Sequence, residues 1–335
     1  MRNQIVEKTP THKGLTAGKI AEIIKAISAE TGIVVKQEVQ RRFLYDPDKT
    51  WRVHLEVTYQ GKLAVLRIEN MKLEIDEESI REKFRAAASG LNVRPPYTYA
   101  FAAFNDAKGY AWSIDELVEG HALFLPEADP AFAVQQFIPF YKELRSASLR
   151  PFWPAENVDA EAFSVAQLAG WMKLAQERNP DTLERHAKIL GRLSERIVIG
   201  MKKQLLSFQH AHLAGSDVRV TPQDDYVVFA NEFWSWRQPG YSLVFPIWNQ
   251  WLALDDACRT HEHVQEITNT WLEAIERELV PHAIASTACV ETMLLNRIFG
   301  SLILDLPAQL HRHSKESVAA LEEALIREAE QLMTM

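Results

Sequence analysis

Cysteine and long apolar segments are both scarce in this sequence of 335 residues. Cys258 and Cys289 are the only cysteines, which is too few for a disulfide framework or a multi-cysteine zinc site, so a reducing cytoplasm is the expected location. The most apolar stretch, residues 293–306, is interrupted by Asn296 and Arg297, and it is shorter than the roughly 20 residues that span a bilayer. We therefore expect a buried helix there and no membrane partner.

An excess of positive charge is also lacking. Lysine and arginine number 37 against 45 for aspartate and glutamate, a net charge of −8, which argues against nucleic acid or anionic lipid as a partner. Residues 1–14 are polar and lack the apolar core of a secretory signal, so export is not expected. At roughly 100–200 residues per domain, the length suits two compact units or one two-lobed domain.

The N-terminal third combines helical and strand-like patterns. Apolar residues recur at helical spacing between Thr16 and Thr31, and residues 51–59 alternate between apolar and polar side chains as a half-buried strand does. Gln60-Gly61 turns the chain and residues 63–68 return, which predicts a hairpin. Further strands are expected over 34–44, 97–104 and 110–114, and a second helix over 76–89.

Beyond Gly120 the apolar period changes from 2 to about 3.6 residues. These patterns together predict an α+β protein with a small β-rich N-lobe over 1–115, a hinge over 116–120 and a larger, mainly helical C-lobe over 121–335. Helices are expected over 131–147, 164–178, 181–206, 261–281, 284–303 and 315–333, with a β-rich interruption over 217–232.

Several short motifs follow one another in the C-terminal part. From His210 the sequence reads HAHLAGSD, then a hairpin pattern, then VVFANEF, and QPGYSL ending at Leu243. Their order and spacing resemble the aminoglycoside phosphotransferase and choline kinase-like family, whose signature runs H-G-D-x-x-x-x-N, I-D-x-E and G-D-P-x-Y-D-L. Residues 112–120 are similar to that family's hinge. The resemblance covers about residues 16–306 and implies a two-lobed protein-kinase-like fold with a degenerate catalytic-loop hairpin over 208–243; an unrelated α+β protein is the alternative.

The resemblance also implies catalytic roles, and the chain departs from the family at each of them. In the family an Asp takes up the substrate proton, an Asn holds magnesium, and a second Asp holds the magnesium that bridges the phosphates. His212, Asp217 and Ala230 stand at those positions. His212 could accept a proton because an unperturbed imidazole titrates near about pH 6.5, and Asp217 and Glu232 could hold a metal. ATP and Mg²⁺ are therefore expected cofactors only if activity is retained.

The nucleotide-binding positions that the resemblance implies are altered too. The loop over 45–50 has no glycine and carries two carboxylates, so it suits phosphates poorly. Arg67 would replace the strand-three lysine, with an ordinary surface arginine as the alternative. In the hinge, Glu116 and Val118 are the expected nucleotide contacts.

The partner of Arg67 should lie on the helix over 76–89. Glu77 is our first choice because helical spacing places it on the face of the apolar residues Ile80 and Phe84, whereas Glu78 and Glu82 should project to the opposite side. Glu82 is the second choice because its distance from Pro96 suits the family better. A solvated helix face is the commoner explanation of any of these carboxylates.

Two other clusters have both a functional and an ordinary interpretation. His210 and His212, with Asp217 and Glu232, could form a histidine–carboxylate metal site, although one buried structural histidine and one surface histidine is commoner. Four tryptophans, at positions 234, 236, 248 and 251, are either core residues of the C-lobe or an aromatic wall that stacks a ring or a cation.

The favoured interpretation is a pseudoenzyme that binds a small metabolite or a protein partner in the cleft between the lobes. The alternative is an active ATP-dependent phosphotransferase that acts on a small hydroxylated or aminated substrate through rearranged metal ligands. A metal-dependent enzyme built on His210 and His212 comes third. Ala230 and the missing glycines separate the first interpretation from the second.

Overall fold

The computed structural model describes residues 16–43, 51–73, 75–147, 151 and 159–334. The loop over 45–50 lies outside the described residues. The chain divides into two compact units, one ending at Glu119 and the other starting at Gly120, except that residues 86–94 belong to the second unit. This division falls inside the expected hinge over 116–120.

The strands and helices are numbered along the chain. The strands are β1 Val34–Phe43, β2 Trp51–Tyr59, β3 Lys62–Glu69, β4 Val93–Arg94, β5 Thr98–Asn105, β6 Tyr110–Glu116, β7 His121–Ala122, β8 Ser207–His210, β9 Val218–Val220, β10 Tyr226–Val228 and β11 Trp234–Arg237. The helices are α1 Ala17–Thr31, α2 Glu77–Ala87, α3 Pro130–Ser146, α4 Ala160–Arg178, α5 Pro180–Gly200, α6 Tyr241–Ala253, α7 His261–Glu278, α8 Thr287–Gly300, α9 Leu306–Gln309 and α10 Lys315–Thr334.

The first unit is an antiparallel sheet covered by α1. The strand order is β1-β2-β3-β6-β5. Three isoleucines of α1 are buried with the apolar residues of β2, β3 and β6 in one core: Ile20, Ile23 and Ile27. Each fully buried side chain of this size contributes about 1.5–3 kcal/mol. Thr16 caps the start of α1 by accepting a hydrogen bond from the Lys19 N–H, and Gly32 ends it in the left-handed conformation.

The hairpin formed by β2 and β3 confirms the prediction from the alternating pattern. Tyr59 pairs with Lys62, so the connection has two residues. Gln60 and Gly61 both adopt positive φ, 50° and 80°, as the type I′ turn requires. Glycine accepts this conformation without strain, and its presence at the second position fixes the register of the two strands.

The second unit is mainly helical, with a small sheet of order β4-β10-β9-β7 and a separate β8–β11 pair. The run Thr287–Gln309 is long and apolar enough to cross a membrane by length and composition, but 78% of its most apolar window is buried inside the protein. The expectation of a buried helix over 293–306 is therefore confirmed.

Three helices differ from the sequence-based expectation, one of them the short helix α9, which lies between two predicted ranges. Helix α6 was not predicted, because Tyr241 to Ile247 are all buried and the segment shows no amphipathic period, and because Pro246 lies inside it. Helix α5 ends at Gly200 rather than at residue 206, since the chain turns there and continues into β8. The order of the remaining helices agrees with the prediction.

Candidate functional site

Residues 208–243, which carry the signature-like motifs and are called the motif loop below, form a compact structure in the second unit. Strand β8 leads into the loop that carries His212 and Asp217, and β11 returns to pair with β8, with Trp234 opposite His210. The Phe229 N–H donates a hydrogen bond of 2.8 Å to the Asp217 carbonyl. The main chain therefore brings the positions of Asp217 and Ala230 side by side, although they are distant in sequence.

His212 is paired with Asp217. Its Nδ1 lies 2.8 Å from Asp217 Oδ2, and the same oxygen accepts the Ala214 N–H at 3.1 Å. The imidazole stacks on Phe233 and also contacts Phe245, with ring centroids 4.8 and 4.4 Å apart. With the proton assigned to Nδ1, Nε2 remains the acceptor. The pair has the arrangement of an oriented general base.

His210 is a structural residue. Its ring is 1% exposed, Nε2 donates to the Phe229 carbonyl at 3.2 Å, and Nδ1 accepts the His212 N–H at 3.3 Å. Burial lowers the pKa of His210 to about 4, so the ring is neutral near pH 7. Both ring nitrogens are engaged within the loop, which favours the buried structural histidine over a metal site on His210 and His212.

The residues around Ala230 do not fit a magnesium–nucleotide site. Ala230 has no ligand oxygen and adopts the left-handed conformation, with φ 55° and ψ 44°. Oδ2 of Asp217 is already engaged by His212 and Ala214. Glu232 is half-buried in the short turn that follows Ala230. Within the described ranges, no three His, Cys, Asp or Glu side chains are grouped to hold a metal ion. That Asp217 and Glu232 bind a metal remains a prediction.

The four tryptophans do not form one aromatic wall. Trp234 and Trp236 line a cavity of about 390 Å³ in the second unit, and Trp251 is fully buried in the core. Trp248 belongs to a different cluster, where its ring centroid lies 4.9 Å from that of Phe245. Trp251 is thus a core residue, Trp234 and Trp236 belong to the cavity, and Trp248 packs against Phe245.

The first unit contains a buried ion pair between Arg67 and Glu77. Both side chains are less than a tenth exposed, and Arg67 Nη1 donates to Glu77 Oε2. Arg67 is thus not an ordinary surface arginine, and Glu77 is the carboxylate that it meets. Glu82 is exposed. That Arg67 and Glu77 bind nucleotide remains a prediction.

The surroundings of this pair correct the prediction for Glu78, which also faces inward. Its side chain is 9% exposed, with Oε1 3.4 Å from Arg67 Nη2 and 3.2 Å from Arg81 Nη1. Because Arg81 lies three and four residues after the two glutamates, it attracts both of them to one side of the helix. Burial raises the pKa of Glu78 above its usual value.

Asp115 completes the buried cluster. Its Oδ1 lies 2.8 Å from Arg81 Nη1, and its Oδ2 accepts a hydrogen bond from Ser113 Oγ at 2.9 Å. Burial opposes ionisation of Asp115, but Arg81 and Arg67 outweigh it and hold its pKa below the usual value. The cluster of Arg67, Glu77, Glu78, Arg81 and Asp115, called the first-unit ion cluster below, is therefore internally compensated.

Glu116, one of the two residues expected to contact a nucleotide at the hinge, is hydrogen-bonded within the first unit. The Glu116 N–H donates to the Tyr97 carbonyl at 2.8 Å, and Glu116 Oε2 accepts the Tyr97 N–H at 3.1 Å. Glu116 thus closes the end of β6, and Val118 is half-buried beyond it. Nucleotide contact by Glu116 and Val118 remains a prediction.

Sequence reasoning missed three polar residues that anchor the motif loop. Gln209 Oε1 accepts from the Ser242 N–H at 3.0 Å and from its Oγ at 2.7 Å, and Gln209 Nε2 donates to the Gln238 carbonyl at 2.9 Å. The Gln238 side chain is fully buried and donates to Gln167. The available signal was the presence of single amide and hydroxyl residues inside apolar segments, which must be hydrogen-bonded if buried.

Comparison with known proteins identifies the fold. No protein-family model matches the chain, and no curated protein sequence matches it. Many solved structures are similar to this chain, and three of them match it over nearly their whole length. A thermostable mutant of aminoglycoside phosphotransferase APH(4)-Ia, with ADP and hygromycin B bound, is 14% identical with a TM-score of 0.54, over 90% of this chain and 97% of its own.

The other two structures give the same result. Spectinomycin phosphotransferase APH(9)-Ia is 10% identical with a TM-score of 0.52, over 94% of this chain and 98% of its own. Choline kinase LicA from Streptococcus pneumoniae is 12% identical with a TM-score of 0.51, over 94% and 99%. The chain therefore has the protein-kinase-like fold of the aminoglycoside phosphotransferases and choline kinase, as the order of its motifs predicts.

Proposed function

We propose that the chain is a phosphotransferase-like pseudoenzyme that binds a small metabolite or a protein partner and no longer transfers phosphate. The observation that carries this proposal is Ala230, which supplies no oxygen at the position where the family signature has its metal-binding aspartate. Phosphoryl transfer depends on cations that neutralise the phosphates, so a lost metal ligand is harder to replace than a lost base.

The surroundings of Ala230 support the same proposal. Alanine is poorly suited to the left-handed conformation, which costs an ordinary L-residue about 1 kcal/mol and which Asn, Asp and Gly adopt more readily. The backbone thus retains a conformation that suits an Asp or Asn side chain, while the residue present cannot bind a metal. Asp217, whose backbone carbonyl accepts the Phe229 N–H next to Ala230, is held by His212 through its side chain.

One observation favours a second candidate function, an active phosphotransferase with rearranged ligands. The His212–Asp217 pair leaves His212 Nε2 as a proton acceptor on a side chain that is 42% exposed. Such a pair could remove the proton of an acceptor hydroxyl or amine. It would do so without the cation that the phosphates require, which is why we place this function second.

The test compares wild type with Ala230→Asp, His212→Ala and Ala283→Asp. Ala283 is a matched control because it is also a left-handed alanine, with φ 56°, and lies outside the motif loop. Binding of ATP with and without Mg²⁺ is measured by calorimetry. ATP consumption is measured with a panel of hydroxylated and aminated compounds that includes hygromycin B, spectinomycin and choline.

The pseudoenzyme proposal predicts weak ATP binding by wild type that Mg²⁺ does not improve, and a gain of at least tenfold in Mg²⁺-dependent affinity for Ala230→Asp, about 1.4 kcal/mol. Ala283→Asp should behave as wild type. Metal-dependent ATP consumption by wild type that disappears in His212→Ala, with no gain in Ala230→Asp, would establish the second function instead.

A further inference from the structure

Arg297, on α8, is a buried arginine surrounded by aromatic rings. It is 8% exposed, and its guanidinium carbon lies 4.3 Å from the ring centroid of Tyr241, 4.7 Å from that of Phe245 and 5.0 Å from that of Trp248. These three residues follow one another on α6 at spacings of four and three, so they form one face of that helix. Cation–π attraction holds the guanidinium in this aromatic cluster.

The guanidinium is not neutralised by the part of the chain that the structure describes. Its Nε and Nη2 are buried without a hydrogen-bond partner, and no carboxylate there lies within ion-pair distance of it. These two nitrogens form the side-on edge of the guanidinium, the edge that binds an oxyanion through two parallel hydrogen bonds. Leaving such donors buried and unsatisfied is costly, because each has lost its hydrogen bonds to water and gained none in return.

Asp305 is an acidic group that interacts electrostatically with Arg297, and it is hydrogen-bonded to other groups. Its Oδ2 accepts hydrogen bonds from Trp248 Nε1 and Ser301 Oγ, both at 3.2 Å. Burial raises the pKa of Asp305 above its usual value, against the opposing effect of Arg297. Asp305 thus forms hydrogen bonds with Trp248 and Ser301, while Arg297 Nε and Nη2 stay open to a ligand.

The aromatic cluster adjoins the motif loop. Phe245 contacts the Arg297 guanidinium and also the His212 imidazole, so one ring separates the unsatisfied cation from the His212–Asp217 pair. Of the three rings, Trp248 alone is partly exposed, so the cluster meets solvent on the Trp248 side. Tyr241 and Phe245 are buried.

We infer that Arg297 binds an oxyanion, a carboxylate or a phosphate, on the small molecule that this chain recognises beside His212. The inference rests on the proposed small-molecule binding and names the class of the ligand. It also separates this chain from the similar structures whose names include hygromycin B, spectinomycin or choline, since a buried cation disfavours a positively charged ligand at this place.

The test measures binding of simple oxyanions by the full chain, with no ATP or metal present. Acetate, benzoate and inorganic phosphate are added at about 20 mM, with chloride at equal ionic strength as the reference, and melting temperature and calorimetric affinity are recorded. Acetate and benzoate test a carboxylate, and phosphate tests a phosphoryl group. A bound anion with a millimolar dissociation constant should raise the melting temperature by about 3 °C or more.

Three variants assign the effect to Arg297. Arg297→Met keeps an apolar stem in the aromatic cluster and should lose the rise completely. Arg297→Lys keeps the charge but not the two-nitrogen edge, and should retain less than half of the rise; it also serves if Arg297→Met does not fold. Arg196→Met removes an exposed arginine of α5 and should respond as wild type does.

Two results would overturn the inference: no oxyanion stabilises wild type beyond chloride, or both Arg297 variants respond as fully as wild type. Neither result would bear on the pseudoenzyme proposal, because that proposal is tested separately by Mg²⁺-dependent ATP binding and consumption. Conversely, ATP consumption by wild type would refute the pseudoenzyme proposal while an Arg297-dependent response to oxyanions would still identify the ligand class.

Discussion

In the first unit, charged side chains are buried together and compensate one another, whereas in the second unit the motif loop has few charges and is held by neutral groups. The first-unit ion cluster keeps two arginines against three carboxyl groups. In the motif loop, Ala230, Gln238 and Ser242 stand where the family signature has aspartates. The last two bind other side chains of the same unit. The buried charges of the first unit thus have partners within the chain, and three aspartate positions of the signature carry neutral side chains in the second unit.

The largest effect should come from breaking the first-unit ion cluster. Glu77→Ala removes the carboxylate shared by Arg67 and Arg81, both of which are less than a tenth exposed. Both guanidinium groups would lose a buried hydrogen-bonded partner and keep Glu78 and Asp115, which should lower the free energy of unfolding by about 3–5 kcal/mol. Equilibrium denaturation in urea measures the change, provided that the transition is analysed for each unit separately.

An exposed ion pair supplies the control for that prediction. Lys72 and Asp106 are 2.9 Å apart with side chains 63% and 78% exposed, so Asp106→Ala should cost no more than about 1 kcal/mol. If the two variants lose equal stability, the first-unit ion cluster is not the stabilising feature that its burial indicates.

The second prediction concerns the pH dependence of the motif loop. The pKa of His210 is lowered from 6.5 to about 4 by burial, so between these values the unfolded chain binds a proton that the folded chain does not. Stability contributed by the neutral ring is complete above pH 6.5 and is lost as pH falls towards 4, by about 3 kcal/mol at most.

Replacing the ring isolates this contribution. Wild type and His210→Gln are unfolded in urea at several pH values from 7 to 4, and the loss of stability on acidification should be smaller in the variant. Carboxyl groups elsewhere contribute equally to both proteins and cancel in the difference. Parallel pH profiles would mean that the pKa of His210 is the same in the folded and unfolded chain, and they would refute its lowering by burial.

The smallest effect should come from the backbone at Ala230. Glycine adopts the left-handed conformation without strain, so Ala230→Gly should increase the free energy of unfolding by about 1 kcal/mol. Ala169→Gly, at an exposed position inside α4, should decrease it by about 0.5–1 kcal/mol. Thermal melting distinguishes the opposite signs, and a loss of stability in Ala230→Gly would refute the left-handed conformation.

Much of the fold follows from patterns that a single segment carries. The alternation over 51–59 and the Gln60-Gly61 turn are sufficient for the hairpin, because side-chain direction alternates along any strand and positive φ selects the turn. Helix α6 could not be predicted in this way. Its first seven residues are all buried, so the neighbouring helices, rather than an amphipathic stripe, make it helical.

The candidate site was predictable in part. The altered motif positions are visible in the sequence because a missing ligand atom is a property of the residue itself. The inward position of Glu78 was not predictable from helical spacing alone, since it depends on where Arg81 and Arg67 lie. In the sequence, Arg297 only interrupts an apolar stretch, and nothing near it in the chain predicts the aromatic rings that surround it.

The sequence by itself determined the hairpin, most of the long helices and the absence of a metal ligand at Ala230, because periodicity and side-chain chemistry are local. Only the tertiary structure decided that His210 is buried between two backbone groups, that Glu77 meets Arg67, and that three rings of α6 surround a cation of α8. Those contacts join segments far apart in the chain, and their energies depend on burial, which exists only after the segments have packed.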